Sequence, residues 1–251
     1  HGPLSDACAK GEILPLYILE PDLWKQPDVS YRHFLHLQHY LSQLDGMFIE
    51  RGAKLVIKVG EALPVLKSLA TRHNVKAIFS HYETWNKFSK DRDSAIRKWT
   101  DENSIDWKEY QQNGVVRNLI SRDGWSTLWH SHMRKKIYEV PAKILCVSED
   151  SDNLPSCQDM SLEFDGFEPN SNLGKIEPGI VLKSFLTERG ENYQREMSGP
   201  LLSADSCSRL STHIAFGTIS IRTIFQRTQE QTQKKLDLVG GKLKNWRASY
   251  N

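Results

Sequence analysis

Apolar residues in the first half of the chain follow two alternating patterns. Residues 13–19 form a short, almost wholly apolar run, as a buried parallel strand requires. Leu37, Leu41, Leu44 and Phe48 then recur at helical spacing, opposite a face carrying Arg32, Gln38 and Gln43, and Gly52 stands where such a helix would stop. Residues 55–59 predict a second strand, 63–69 a helix, 75–80 a third strand, about 91–99 another helix, and the alternating 105–110 an edge strand. This order predicts an α/β domain over residues 1–111, a parallel sheet with helices on both faces. Residues 4–10 read as a helix with no strand before them, so an opening strand is expected to be missing from the sequence.

From residue 112 to 177 the periodicity loosens, and 150–173 is rich in Ser, Asp, Asn and Pro, which predicts a long linker. After Pro178 the spacing becomes helical, over 180–187, 210–227 and a polar stretch near 229–238. Residues 178–251 therefore predict the beginning of an all-α domain that does not finish within the sequence.

Composition narrows the function classes. Of 251 residues, 39% are hydrophobic and 10% aromatic, enough for a buried core. No apolar run approaches the roughly 20 residues that cross a bilayer, and the N-terminus lacks signal-peptide features, which argues against membrane and secretory classes. Cys8, Cys146, Cys157 and Cys207 show no CxxC spacing, so they read as reduced thiols of a cytoplasmic protein. The net charge of +2 does not by itself point to nucleic acid. Walker-type, GxGxxG and GxSxG motifs are absent, which sets aside ATP-dependent, dinucleotide-fingerprint and hydrolase readings.

Tyr193-Gln194-Arg195-Glu196, then Ser206-Cys207-Ser208-Arg209-Leu210-Ser211, then Phe216-Gly217-Thr218-Ile219-Ser220 resemble the start of the helical domain of the DNA photolyase and cryptochrome family. The sequence departs from that pattern in having Cys207 where threonine is usual and a slightly longer spacer. Residues 11–18 resemble the family's second strand, and 113–117 with 122–125 resemble the start of its interdomain region. The resemblance implies a Rossmann-like antenna domain lacking its first strand over 1–111, a linker over 112–177, and the start of a helical FAD-binding domain over 178–251. It implies FAD contacted by Tyr193, Cys207, Ser208, Arg209, Leu210 and Ser211, a possible second antenna chromophore of folate or flavin type, and UV-damaged DNA as partner. The parent protein would be a light-driven carbon–carbon lyase that repairs pyrimidine photoproducts by electron transfer from excited reduced flavin. The alternative is a cryptochrome photoreceptor without repair activity. The chain alone is expected to be inactive and monomeric and to hold no catalytic residue.

The residues themselves allow this chemistry. Ser208 and Ser211 offer hydroxyls and Arg209 a charge at a predicted helix start, where a pyrophosphate would meet unpaired amides. Ser208 as a simple helix cap is the competing reading. Arg222, Arg227, Lys234, Lys235, Lys242, Lys244 and Arg247 outnumber Glu230 and Asp237, which fits either a DNA contact or a solvated face. His130, His132 and Met133 lack the acidic or thiol neighbours of a metal site and read as packing. His81-Tyr82-Glu83 ends a predicted strand, where α/β folds bind ligands, and is a candidate lining for an antenna pocket. Folate-binding relatives often carry an Asn-Glu pair shortly before the position of Arg92-Asp93. Phe88-Ser89 stands there instead.

Overall fold

The structure, a computed structural model, describes residues 1–164, 166, 176–234 and 245–246. The first half runs α1 (Gly2–Cys8), β1 (Leu16–Leu19), α2 (Tyr31–Ile49), β2 (Val56–Val59), α3 (Ala62–His73), β3 (Ala77–His81), α4 (Lys87–Glu102) and β4 (Asp106–Tyr110). Helix α2 buries Phe34, Leu37, Tyr40, Leu41 and Phe48, while Leu44, expected on the same stripe, is 40% exposed at its edge. The helix stops as expected, with Gly52 at φ +80 and the Ala53 amide bonded back to the Phe48 carbonyl at 3.0 Å. The predicted strand over 13–19 shortens to Leu16–Leu19. Pro15 has no amide to give a ladder, and Ile13 instead bridges Cys146.

All strand pairing is parallel, as predicted, but it forms two small sheets, β1 with β2 and β3 with β4, with no ladder between β1 and β3 among the described residues. Both pack on one helical layer. Ile18 of β1 and Ile78 of β3 meet the cluster of Ala62, Ile96 and Trp99 from α3 and α4. The opposite face of β3 and β4 meets α1: the His81 ring lies edge-on to His1 at 4.6 Å, and Tyr110 Oη donates to Asp6 at 2.6 Å. Helices therefore cover both faces of the parallel strands, which is the predicted α/β class.

The chain divides into two compact units, one of His1–Val115 with Tyr138–Phe167, the other of Val116–Ile137 with Glu168–Asn251. In the first, residues 144–152 return along β2. Ile144 is 1% exposed, the Ile57 amide donates to Ser151 Oγ at 2.9 Å, and the Val59 amide donates to Asp152 Oδ2 at 2.8 Å. Glu149 is buried against Lys58 at 2.9 Å, His73 at 2.6 Å, and Arg72.

The second unit holds α5 (Trp125–Met133), α6 (Pro178–Thr187), α7 (Tyr193–Glu196), α8 (Ser203–Ser206), α9 (Ser211–Ala215) and α10 (Ile221–Lys234). Its core joins Leu182, Phe185, Leu186 and Leu210, flanked by Tyr193, Ile219 and Ile224. Gly190 is required there, because a Cβ would come within 2.6 Å of the Phe185 carbonyl oxygen. The single helix expected over 210–227 is broken: Gly217 takes φ +69 and the Thr218 amide turns back to His213 O, so α9 and α10 are separate. The expected polar helix near 229–238 continues α10 as far as Lys234, and its remainder lies outside the described residues. Helix α10 caps the end of α5, with Gln226 Nε2 donating to the Met133 and Lys135 carbonyls, each at 2.9 Å.

Candidate functional site

The loop between α8 and α9 is fixed on every side. Ser206 is buried and its hydroxyl donates to Glu196. Leu210 is 3% exposed in the helical core. Between these anchors, Arg189 grips the main chain: Nη1 donates to the Cys207 carbonyl and Nη2 to the Ser208 carbonyl at 3.3 Å. The same guanidinium donates to Ser184 Oγ at 2.7 Å and to the Val181 carbonyl at 3.2 Å, tying the loop to α6. Burial and the Arg209 charge pull the Arg189 pKa below the usual guanidinium value. Five donors in a fixed fork make arginine suited to gripping several carbonyls at once.

At the apex, Arg209 holds φ +60, a left-handed conformation uncommon for a side chain without local stabilisation. Its side chain is exposed, as is Ser211, while Cys207 and Ser208 are half-buried. Among the described residues the amides of Ser208, Arg209 and Leu210 and the hydroxyls of Ser208 and Ser211 make no hydrogen bond. Ser208 does not cap α9, whose N-cap is Leu210 without a side-chain cap bond. With only five residues, α9 contributes little dipole, so the donors presented here are the loop's own amides and hydroxyls. Leu210 faces the core, and Tyr193 packs there as well, its ring edge-on to Phe185 at 5.7 Å. The loop thus presents unmatched N–H and O–H donors and one cation, donor types that fit the pyrophosphate of a dinucleotide.

The carboxyl ends of the α/β strands carry a second cluster. Glu20, 4% exposed just after β1, accepts from the Ala62 amide at 3.1 Å and from Arg92 Nη1 at 2.7 Å, and Arg92 also pairs with Asp93 at 2.9 Å. Burial, with Glu20 adding to it, raises the Tyr17 pKa well above the ordinary phenol value. His81, Tyr82 and Glu83 lie at the end of β3, where Tyr82 Oη donates to the Val115 carbonyl at 2.5 Å and Glu83 accepts from the Thr84 amide at 2.8 Å.

His132 and Met133 are buried, and Trp129 packs edge-on to Phe225 at 5.2 Å. Among the described residues no group of His, Cys, Asp or Glu could hold a metal ion, and all four cysteines are free. No helix among them is long and apolar enough to cross a membrane. Of the basic C-terminal residues, Arg222 donates to the Lys136 carbonyl and Arg227 pairs with Glu230 at 3.4 Å. Lys235, Lys242, Lys244 and Arg247 lie outside the described residues. Arg189 and Glu20 went unnoticed in the sequence because neither sits in a motif and both act largely on main-chain groups.

Residues 1–121 match the DNA photolyase family. No curated protein sequence matches the chain. The fold is similar to that of a cryptochrome from Synechocystis, with 19% identity and a TM-score of 0.76, covering 100% of this chain and 56% of that one. It is similar to a class III photolyase from Agrobacterium tumefaciens, with 14% identity and a TM-score of 0.73, covering 98% and 53%. A third similar structure is an archaeal photolyase from Sulfolobus tokodaii with two FAD molecules, with 23% identity and a TM-score of 0.62, covering 91% and 51%. The chain spans about half the length of these structures.

Proposed function

The chain carries a DNA photolyase domain over residues 1–121 and has the fold of photolyases and cryptochromes, and from this membership we propose that it serves a light-driven, FAD-dependent DNA photolyase. The observation that carries the reading is the pinned Cys207–Arg209 loop, whose donors remain unmatched within the described chain. Ser208, Arg209, Ser211 and the neighbouring amides would bind the pyrophosphate, and the half-buried Cys207 would contribute through its backbone. Tyr193 and Leu210, seated in the core, would set the wall against which the cofactor lies. When bound, FAD supplies the light-driven electron transfer that splits a pyrimidine photoproduct in a carbon–carbon lyase reaction. The protein's part is to hold cofactor and damaged DNA together and exclude water.

By this reading residues 178–251 begin the flavin-binding domain, 112–177 connect it to the α/β domain, and the chain alone neither holds FAD stoichiometrically nor repairs DNA. A strand between β1 and β3 would complete one sheet. Both strands share the Ile18–Ile78 cluster and leave an edge without a ladder among the described residues, which supports that placement. The crevice of Glu20, Arg92 and His81 is the place we assign to a second, antenna chromophore, of folate or flavin type. The free thiols fit a cytoplasmic protein. A cryptochrome without repair activity is the second reading, favoured by the similarity to the Synechocystis structure.

The test is an absorption spectrum of the protein joined to a full-length helical domain, followed by illumination with UV-damaged DNA. Flavin bands with loss of lesions are expected. Flavin without lesion loss would turn the assignment to a cryptochrome, and absence of flavin would overturn it.

A further inference from the structure

The amides of Val56 and Gly60, at the two ends of β2, donate inward to the Pro15 and Leu19 carbonyls at 2.8 and 2.9 Å. The amides of Leu55, Ile57 and Val59 therefore point to the opposite, outer edge, where no strand pairs among the described residues. Each is nevertheless bonded, and each to a side-chain oxygen: Leu55 to Asp45 Oδ1 at 2.9 Å, Ile57 to Ser151 Oγ at 2.9 Å, and Val59 to Asp152 Oδ2 at 2.8 Å. The Ile57 carbonyl accepts from the Asp152 amide at 2.8 Å, so both main-chain groups of Ile57 are taken by residues 151 and 152. The Glu149 carboxylate, its side chain 2% exposed, fastens that segment to Lys58, His73 and Arg72.

A strand with free outward amides is a template for another chain, and an outward charge is a common way to block it. Here the outward-bonding residues are Leu, Ile and Val, and the one charge among residues 55–59, Lys58, is drawn to Glu149 at 2.9 Å. Without residues 149–152 this edge would be a bare run of high β-propensity. Its bonding positions are self-complementary. Two copies laid antiparallel about a two-fold axis would set Ile57 opposite Ile57 and Leu55 opposite Val59, each in a hydrogen-bonded pair. An unrelated peptide has no such built-in register, so the partner that fits the bared edge is a second copy of this chain. We propose that residues 149–152 guard the β2 edge against pairing with a second copy. The guard uses no residue of the Cys207–Ser211 loop and needs neither light nor flavin, so it stands or falls separately from the flavin assignment.

The experiment is sedimentation equilibrium of the 251-residue chain across a concentration series. The parent should keep a single mass. In Glu149→Ala/Ser151→Ala/Asp152→Ala the weight-average mass should rise toward twice the monomer value, and amides 55, 57 and 59 should resist hydrogen exchange only where dimer is populated. Adding Ile57→Pro removes the outward N–H without touching a bond to β1, and should return the variant to monomer. Glu149→Ala and Asp152→Ala alone each undo one fastening and should show the same rise in smaller degree, so the test does not depend on the triple variant folding. Folded variants that keep the parent's mass would overturn the proposal. So would dimers that survive Ile57→Pro, because they form at another surface, and so would a parent that already dimerises and loses its dimer with Ile57→Pro.

Discussion

Arg209 and Arg189 divide the labour of one loop. Arg209 bears the left-handed backbone, which costs a side-chain-bearing residue about 1–2 kcal/mol relative to glycine. Arg209→Gly is therefore expected to leave stability unchanged or raise it by up to about 1 kcal/mol, after allowing for the looser unfolded chain. If the arginine is kept for an anion, the same variant should weaken flavin binding. Arg189→Ala should do the reverse of a silent change, removing the donor to the Val181, Cys207 and Ser208 carbonyls and lowering stability by about 2–3 kcal/mol. Urea titrations of the two variants side by side check both outcomes. The Cys207–Ser211 run was legible in the sequence as a short motif. Its clamp was not, because an arginine bonded to carbonyls leaves no spacing rule and no partner residue type to search for.

At the level of elements, helices and strands of the first 111 residues followed the apolar periodicity, whereas α5 lies within residues 112–177, where no periodicity announced it. Residues 144–152 had none to follow, because they are held by main-chain bonds, side-chain caps and one buried carboxylate. The pairing with Lys58, His73 and Arg72 holds the Glu149 carboxyl down to about 2, below its ordinary value near 4.3. A depressed carboxyl pKa contributes stability that is fully present above the unfolded value and is lost as pH falls toward the folded one. Glu149→Gln should accordingly cost about 2 kcal/mol near neutrality. That difference from the parent should shrink between about pH 4.5 and pH 2.5, as the parent's own carboxylate is protonated. Denaturant unfolding at a series of pH values measures it, and a difference independent of pH would show that Glu149 acts by shape alone. The break at Gly217 was similarly hidden: apolar residues keep helical phase through 210–227, and only the glycine's positive φ separates the two helices.

On the scale of the whole molecule, each compact unit is assembled from two stretches of chain, so the path passes between the units at 115–116, 137–138 and 167–168. A fragment ending at Val115 lacks the buried Ile144 and the partners of the Ile57 and Val59 amides. Losing about 3 kcal/mol in a domain of this size lowers the midpoint by about 10 °C or more. Adding a peptide of residues 138–164 should restore most of that loss in a thermal melt, and failure to do so would show that the returning segment contributes little. The interleaving also bears on inheritance. A single genetic crossover between residues 116 and 167 gives both units segments from two different parents. Exchanging one whole unit for another parent's takes three crossovers, one at each passage between the units.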